Sequence, residues 1–266
     1  MSGFDLGGQV CVVTGGLGLI GRAFAAALHQ AGASVVLTDL DHGACVDRAH
    51  ALGPTALGHG ADITQPASLA GLRDAIVKRF GRIDALVNSA AIDDKFEARA
   101  AAHASLPEHY AVEQFRRIMD ANVIGTFLTC QVLGAPMLAA GKGSIVNVSS
   151  TYGLVGPDQS LYTRPDGTQP FHKSPAYPTS KAAVLGFTRY LATTWGARGV
   201  RVNALCPGGV ENGQAEHFVA KYAARTPLGR MASASDYGGA IVFLCSDASA
   251  YMTGASLVVD GGWTAW

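Results

Sequence analysis

The sequence predicts an α/β fold in which helices cover both faces of a doubly wound parallel sheet. Short apolar runs rich in β-branched residues alternate with longer segments of helical periodicity, which is the pattern of repeated βαβ units. The apolar runs are almost continuously hydrophobic, as expected for strands buried on both faces. No linker rich in serine, proline or glycine divides the 266 residues, so we expect one domain over 1–266.

The predicted elements follow one another in a regular order. In the first half they are "QVCVVTG", "LIGRAFAAALHQAG", "ASVVLTD", a polar helix near 41–52, a helix over 66–80 and "IDALVNSA". In the second half they are a helix near 113–140, "GSIVNVSS", a helix that contains Tyr177, "VRVNALCPGG", a helix around 235–244 and "SLVVDGG". The apolar pattern therefore indicates six strands.

Two segments interrupt this alternation, 92–113 and 151–176. Loops of that length inside a compact domain are usually functional or disordered. Both follow the predicted carboxyl end of a strand, where open α/β sheets bind their ligands. We therefore expect both segments to be insertions that form the walls of a substrate site.

Charge and cysteine content limit the possible partners. The formal net charge is zero and the longest basic run is Arg116-Arg117, so we expect a small molecule as partner and neither nucleic acid nor a membrane. Five scattered cysteines without a CxxC spacing fit free thiols in a reducing compartment. Because we also find no leader and no apolar run near the ~18 residues that span a bilayer, we expect a cytoplasmic location. The histidines have no metal-ligand spacing, and we expect no metal.

A glycine-rich turn joins the first strand to the first helix. "TGGLGLIG" places Gly16, Gly18 and Gly21 in a G-x-G-x-x-G pattern, which lets backbone N–H groups approach a pyrophosphate at the helix N-terminus. Asp39 ends the second strand, where an acidic side chain binds the adenosine ribose of NAD. No Arg or Lys stands beside Asp39 to accept a 2′-phosphate, which favours NAD over NADP. A plain glycine turn and a helix N-cap at Asp39 are the structural alternatives.

Tyr177 and Lys181 stand four residues apart in a helical segment, so their side chains share a face. A phenol with a pKa of about 10 is a poor base at neutral pH. A neighbouring ammonium and a cationic nicotinamide ring would both favour the phenolate. The alternative is a chance spacing, so the rest of the chain has to decide.

Six signals occur in a specific order along the chain. They are the glycine turn, "NSAA" at 88–91, "GSIVNVSS" ending at Ser150, "YPTSK" at 177–181, "NALCPGGV" and "VDGG". With them the sequence resembles the short-chain dehydrogenase/reductase family, in its compact single-domain branch, over essentially the whole chain. The resemblance implies a Rossmann fold with seven parallel strands, NAD as cofactor and a CH–OH group as the reacting group. It also implies a homotetramer, for which the apolar tail with Trp263 and Trp266 is a candidate contact.

The resemblance also assigns site residues. The implied cofactor-binding residues are Gly15, Gly16, Gly18, Leu19, Ile20, Gly21, Asp39, Leu40, Asp62, Ile63, Asn88, Ala90, Tyr177, Lys181, Pro207, Gly208 and Val210. Tyr177 would be the catalytic base and Ser150 would hold the substrate oxygen. Lys181 would lower the pKa of the tyrosine and bind ribose, while Asn122 would organise a water. Ser149 is the rival of Ser150 because adjacent strand residues face opposite ways, and the rival role of Asn122 is a buried amide bonded to backbone.

The insertion 151–176 is rich in hydrogen-bonding side chains, which favours a sugar, sugar acid or polyol over an apolar substrate. Arg164, His172 and Lys173 are suited to a carboxylate, phosphate or sulfonate. The predicted substrate residues are Ser150, Asp158, Gln159, Arg164, His172, Lys173, Tyr177, Gly209 and Asn212. A solvated loop or a subunit contact is the alternative role of the insertion. An acyl thioester or aromatic alcohol is the alternative substrate, and a non-catalytic NAD-binding regulatory protein is the alternative class.

Overall fold

The structure confirms the doubly wound α/β fold. The computed structural model describes residues 3–94 and 101–266. One seven-stranded parallel sheet runs through it, in the order β3-β2-β1-β4-β5-β6-β7. The strands are β1 (Val10–Thr14), β2 (Ser34–Asp39), β3 (Leu57–Gly60), β4 (Ala85–Asn88), β5 (Gly143–Val148), β6 (Val200–Pro207) and β7 (Ser256–Val259). Residues 95–100 of the predicted insertion 92–113 lie outside the described residues.

Helices lie on both faces of the sheet. They are α1 (Leu19–Gln30), α2 (His42–Leu52), α3 (Pro66–Phe80), α4 (Ala101–Ala104), α5 (Val112–Met119), α6 (Gly125–Ala140), α7 (Ala176–Trp195), α8 (Glu216–Arg225) and α9 (Gly238–Cys245). The predicted helix near 113–140 is α5 and α6, joined by a π-helical turn at Asp120–Ile124. Neither α8 nor the short α4 is indicated by the apolar pattern.

The strand that the apolar pattern missed is β3. Its sequence, "LGHG", contains two glycines and no β-branched residue. Close packing requires the first glycine, because a Cβ at Gly58 would lie 2.1 Å from the Cys45 carbonyl oxygen in α2. The residues of β3 therefore allow close packing against α2 and have low intrinsic strand propensity, which is why the apolar pattern does not show the strand.

Two apolar cores form, one on each face of the sheet. Alternate residues of the central strand β1 supply both, with Cys11 and Val13 on one face and Val10 and Val12 on the other. Helices α1 and α9 pack on the first face, and α3, α6 and α7 pack on the second. Each fully buried Leu or Ile contributes about 1.5–3 kcal/mol, so the two layers hold the sheet between them.

The continuous helical run Val112–Ala140 is long and apolar enough to cross a membrane by length and composition, although we expected no such run. In the folded protein one side of this helical run packs into the core. Leu133 and Met137 pack into the second core, and α6 lies against α3. Only 39% of its most apolar window is buried by this chain, so part of an apolar surface faces outward.

The carboxyl ends of the strands meet at one edge of the sheet. The glycine turn follows β1, Ser89–Asp93 follow β4, Ser149 and Ser150 follow β5, and Gly208 follows β6. The strand order reverses direction between β1 and β4, and open α/β sheets bind ligands in the crevice at such a point. The fold thus gathers all of these segments around one crevice.

The two C-terminal tryptophans, both candidates for a subunit contact, differ in burial. Trp263 is only 2% exposed within its own chain. Its ring stacks on Tyr222 with 4.1 Å between ring centroids. The Arg225 guanidinium carbon lies 4.9 Å from the centre of the Trp263 ring. A subunit contact is therefore not needed to cover Trp263. Trp266 is 74% exposed and remains available for one.

Candidate active site

A cleft of about 1210 Å³ opens at the carboxyl edge of the sheet. Segments that follow β1, β2, β4, β5 and β6 line it, together with residues of α5, α7 and α8. The glycine turn lies at one end, and the aromatic residues of α8 lie at the other. The cleft is large enough for a dinucleotide and a small substrate side by side.

The glycine turn has no room for side chains. Gly15 has a φ of +65°, and a Cβ there would lie 2.7 Å from Ala90. A Cβ on Gly21 would lie 2.1 Å from the Gly15 carbonyl oxygen. Gly15, Gly18, Leu19, Ile20 and Gly21 line the cleft, as the sequence predicts. Gly16 packs against Leu37 behind the turn and does not line it.

Asp39 closes β2 beside this turn. Its carboxylate accepts the Leu17 N–H at 3.1 Å and the Leu40 N–H at 2.8 Å. Leu40, Asp62 and Ile63 line the same end of the cleft. A bare backbone turn, a helix N-terminus and a carboxylate at the end of β2 fit the pyrophosphate and ribose of a nicotinamide dinucleotide.

Asn88 lies beneath the cleft rather than in its wall, which corrects its predicted contact with the cofactor. Its Nδ2 donates to Asn147 Oδ1 at 2.8 Å and contacts Cys130 Sγ at 3.2 Å. Ala90, in contrast, does line the cleft. The hydroxyl of Thr14 holds this segment, because it accepts the N–H groups of Ser89 and Ala90 at 3.1 Å each. Pro207, Gly208 and Val210 line the opposite wall.

Ser150, Tyr177 and Lys181 come together on one wall of the cleft. Ser149 uses its hydroxyl to donate to the Lys181 carbonyl at 2.8 Å. Ser150 Oγ instead accepts the Tyr152 N–H at 3.1 Å, and the Ser150 side chain acts on Tyr177, whose pKa it lowers. Both serines follow β5 and line the cleft, but Ser150 is the one whose side chain acts on Tyr177.

Burial controls the protonation of Tyr177 and Lys181. It raises the pKa of Tyr177 well above its usual value; Asp93 raises it further and the Ser150 hydrogen bond opposes both. Burial lowers the pKa of Lys181 to about 8. The ammonium donates to the Val148 carbonyl at 2.8 Å and lies 5.6 Å from the centre of the Tyr177 ring. The expectation that Lys181 and a bound nicotinamide together lower the pKa of Tyr177 stays a prediction.

Asn122 is a buried amide that is hydrogen-bonded to backbone, which is the alternative role named for it above. Its Oδ1 accepts the Ile92 N–H at 2.8 Å, and its Nδ2 donates to the Ile92 carbonyl at 2.9 Å and to Ser180 Oγ at 3.0 Å. Both amide hydrogens are therefore used, and the side chain cannot also donate to a water. Asn122 holds the loop after β4 against α7, and its part in a water relay stays a prediction.

Most of the predicted substrate residues lie outside the cleft. Lys173 and Gly209 line it, with Ser150 and Tyr177. Asp158 pairs with Arg225 at 2.5 Å, and Gln159 bonds to the backbone of Lys173. Arg164 is exposed, His172 N–H donates to Ser105 Oγ at 2.8 Å, and the Asn212 N–H donates to Gln214 Oε1. These five residues shape the insertion and its surroundings instead of facing the substrate.

An aromatic wall replaces them. Tyr152 and Tyr162 line the cleft with their hydroxyls 3.4 Å apart. Phe218 and Tyr222 of α8 complete this wall, and Tyr222 Oη accepts the Gly209 N–H at 2.6 Å. Sequence reasoning missed Phe218 and Tyr222 because α8 was not predicted, and it left Tyr152 and Tyr162 of the insertion 151–176 out of the predicted substrate residues. The position of Tyr152, two residues after Ser150, was the available signal.

Comparison with known proteins agrees with this geometry. The chain belongs to the short-chain dehydrogenase/reductase family: residues 18–264 match the family model described as enoyl-(acyl carrier protein) reductase. It is 36% identical to D-threitol dehydrogenase of Mycolicibacterium smegmatis, over 98% of this chain and 95% of that protein. It is 38% identical to cis-4-hydroxycyclohexanecarboxylate dehydrogenase of Sinomonas cyclohexanicum, over 97% of each chain.

A solved structure is similar over nearly the whole length. The crystal structure of a gluconate 5-dehydrogenase from Burkholderia cenocepacia, in complex with NADP and tartrate, superimposes with a TM-score of 0.85 at 28% identity. The match covers 99% of this chain and 98% of that one. The protein is thus an oxidoreductase that acts on CH–OH groups with a nicotinamide cofactor. Among residues 3–94 and 101–266, no three His, Cys, Asp or Glu side chains are placed to hold a metal ion.

Proposed function

We propose that this enzyme oxidises a secondary alcohol of a polar substrate, namely a sugar, sugar acid or polyol, with NAD. The observation that carries the proposal is the constellation of Ser150, Tyr177 and Lys181 on one wall of a cleft that also contains the glycine turn. The hydroxyls of Tyr152 and Tyr162 and the ammonium of Lys173 supply hydrogen bonds at the substrate end. The activities in the names of the relatives support a small polar alcohol.

The residues of the chain have separable roles. Ser150 holds the alcohol oxygen by hydrogen bonding, and the phenolate oxygen of Tyr177 accepts the alcohol proton. Lys181 binds the ribose and places positive charge near the phenol. A bound nicotinamide would supply the hydride acceptor, and its positive charge would favour the Tyr177 phenolate, which burial of Tyr177 disfavours. The glycine turn and Asp39 orient the cofactor.

A second candidate substrate is an alicyclic or aromatic alcohol. The wall formed by Tyr152, Tyr162, Phe218 and Tyr222 favours it, because ring faces bind carbon rings well. A panel of secondary alcohols separates the two candidates. Sugars, sugar acids, polyols and hydroxycyclohexane compounds are compared by the near-ultraviolet absorbance of the reduced nicotinamide. Turnover of ring alcohols alone would replace the polyol proposal.

NAD is the proposed cofactor rather than NADP. Asp39 would repel a 2′-phosphate, and no ion pair to Asp39 occurs within 3–94 and 101–266. We expect a higher kcat/KM with NAD than with NADP. Asp39→Asn should lower the ratio of these two kcat/KM values about tenfold or more, because it removes the charge repulsion against the 2′-phosphate. An unchanged ratio in that variant would assign cofactor choice to other residues.

We propose a cytoplasmic homotetramer. Exposed apolar side chains on the helical run Val112–Ala140, including Ile124 at 47% and Phe127 at 42%, support a subunit contact. All five cysteines are free and buried, which suits a reducing compartment. Phe127→Asp should lower the mass measured by light scattering, and an unchanged mass would place the contact elsewhere.

Tyr177→Phe is the direct test of the proposed base. Loss of the hydroxyl should lower turnover about 10²–10⁴-fold, because a positioned proton acceptor contributes about that much. The affinity for NAD, measured by calorimetry, should be nearly unchanged. Tyr190→Phe is the matched control, since Tyr190 lies on the same helix with 64% exposure. Comparable activity in both variants would remove Tyr177 from its proposed role.

A further inference from the structure

Lys173 and Asp93 form an ion pair at the substrate end of the cleft. The pair joins the loop after β4 to the end of the insertion 151–176, and both side chains line the cleft. The Lys173 ammonium lies 4.6 Å from the centre of the Tyr177 ring. A pair of opposite charges therefore borders the place where the reacting carbon must lie.

The backbone around Lys173 is held in place by several hydrogen bonds. Gln159 Oε1 accepts the Lys173 N–H at 2.8 Å, and Gln159 Nε2 donates to the Lys173 carbonyl at 3.2 Å. The preceding residue, His172, donates its N–H to Ser105 Oγ. These bonds do not involve Asp93, so the lysine keeps its position when its anionic partner changes.

The two charged side chains differ in burial. The Lys173 side chain is 15% exposed, whereas the Asp93 side chain is 37% exposed. An unpaired, largely buried ammonium is costly, but a carboxylate with this exposure regains water at small cost. Exchange of Asp93 for another carboxylate therefore leaves Lys173 paired and lets Asp93 return to solvent.

The neighbouring charges are already engaged. Lys181 donates to the Val148 carbonyl, and Arg225 pairs with Asp158. Arg117 faces Asp94 at 3.7 Å. Of these cations, Lys173 is the one that both borders the substrate end and has a partner that can leave.

We propose that Lys173 recognises a substrate carboxylate, and that Asp93 is an internal anion which this carboxylate displaces. The inference deepens the proposed function and rests on it. Because the ammonium lies against the ring whose phenolate oxygen takes the proton, the carboxylate must stand within a few bonds of the reacting carbon. The substrate class is then a short hydroxy acid or a sugar acid oxidised near its carboxyl end.

Substitutions of Lys173 and of Asp93 should have opposite effects on anion binding. The probe is malonate, titrated by calorimetry into enzyme saturated with NAD. Lys173→Met should weaken malonate binding about 10–100-fold, the value of a lost charge-assisted hydrogen bond. Asp93→Asn should strengthen it several-fold, because the competing carboxylate is gone. Lys173→Arg should retain most of the affinity, since it keeps the charge.

Lys142→Met is the matched control, because Lys142 is 67% exposed and pairs with Asp247 at 3.6 Å away from the cleft. It should leave malonate binding unchanged. Weaker binding in both Lys173→Met and Asp93→Asn would show that the pair is a structural tie, and no change in either would place the anion elsewhere. Both results overturn the inference.

Turnover separates this inference from the proposed function. With a hydroxy acid and its neutral amide as matched substrates, Lys173→Met should lower kcat/KM for the acid about 10–100-fold more than it lowers kcat/KM for the amide. Wild-type enzyme that oxidises neutral polyols and no hydroxy acid would contradict the carboxylate site alone. Wild-type enzyme that oxidises no secondary alcohol, yet binds malonate through Lys173, would contradict the proposed function alone.

Discussion

At the scale of single residues, burial is stronger than the nearby charges at the reacting groups. It raises the pKa of Tyr177 and lowers the pKa of Lys181 to about 8, so the same cause drives both groups toward their neutral forms. Asp93 raises the pKa of both groups and therefore favours the protonated form of each. The protein thus stabilises the protonated phenol and destabilises the ammonium beside it.

The pKa of Lys181 predicts a stability change with pH. Its folded value of about 8 lies below its ordinary value of 10.5, so the unfolded chain binds more protons between these two pH values. The contribution of Lys181 to stability is therefore present above pH 10.5 and is lost as the pH falls through about 8. Relative to Lys181→Met, wild-type protein should gain up to about 3 kcal/mol between pH 8 and 10.5 in urea unfolding. A constant difference across that range would contradict the lowered pKa.

At the scale of elements, the turn between β1 and α1 depends on glycine for two physical reasons. Gly15 adopts a positive φ, and Gly21 leaves the space that the Gly15 carbonyl occupies. The sequence pattern predicts this turn well, because few other arrangements need glycines at this spacing. The same reasoning does not find β3, where glycine at 58 serves the packing of α2 and masks the strand pattern.

Identical substitutions should have opposite effects in two helices. Gly21→Ala places a Cβ within 2.1 Å of a backbone oxygen, so the turn must open and NAD affinity should fall at least about tenfold. Gly71→Ala in α3 meets nothing within 4 Å and should stabilise the protein by about 0.5–1 kcal/mol. Calorimetric binding and thermal unfolding check the pair. Normal NAD affinity in Gly21→Ala would show that the turn tolerates a methyl group.

At the scale of the whole molecule, the fold and the catalytic constellation follow from the sequence more closely than the substrate wall does. Tyr177 and Lys181 lie on α7 and Ser150 lies two residues after β5, next to elements with clear patterns, and the structure brings the three together. The wall depends on contacts between distant segments, such as Asp158 with Arg225 and Lys173 with Asp93. A polar side chain in a loop has several possible partners, and the sequence does not show which one it finds.

Trp263 links the end of the chain to that wall. It stacks on Tyr222, whose hydroxyl holds the Gly209 N–H in the cleft. Trp263→Ala should cost about 3–5 kcal/mol of stability, as expected for a buried aromatic residue, and raise KM for the alcohol more than it changes NAD affinity. Trp266→Ala should change stability by less than about 0.5 kcal/mol, since Trp266 is exposed. Urea unfolding and steady-state kinetics measure the stability and the KM of both variants. Equal changes in the two variants would show that Trp263 does not support the substrate wall.

The reversal of strand order between β1 and β4 has a thermodynamic consequence. A dinucleotide in this crevice would contact the segments after β1 and β2 on one side and those after β5 and β6 on the other, and would bridge two halves of the sheet. Occupancy would then add RT ln(1 + [L]/Kd) to the free energy of unfolding, about 2.7 kcal/mol at a hundred times Kd. Melting temperature becomes a gauge of cofactor occupancy that works even in a variant with no turnover.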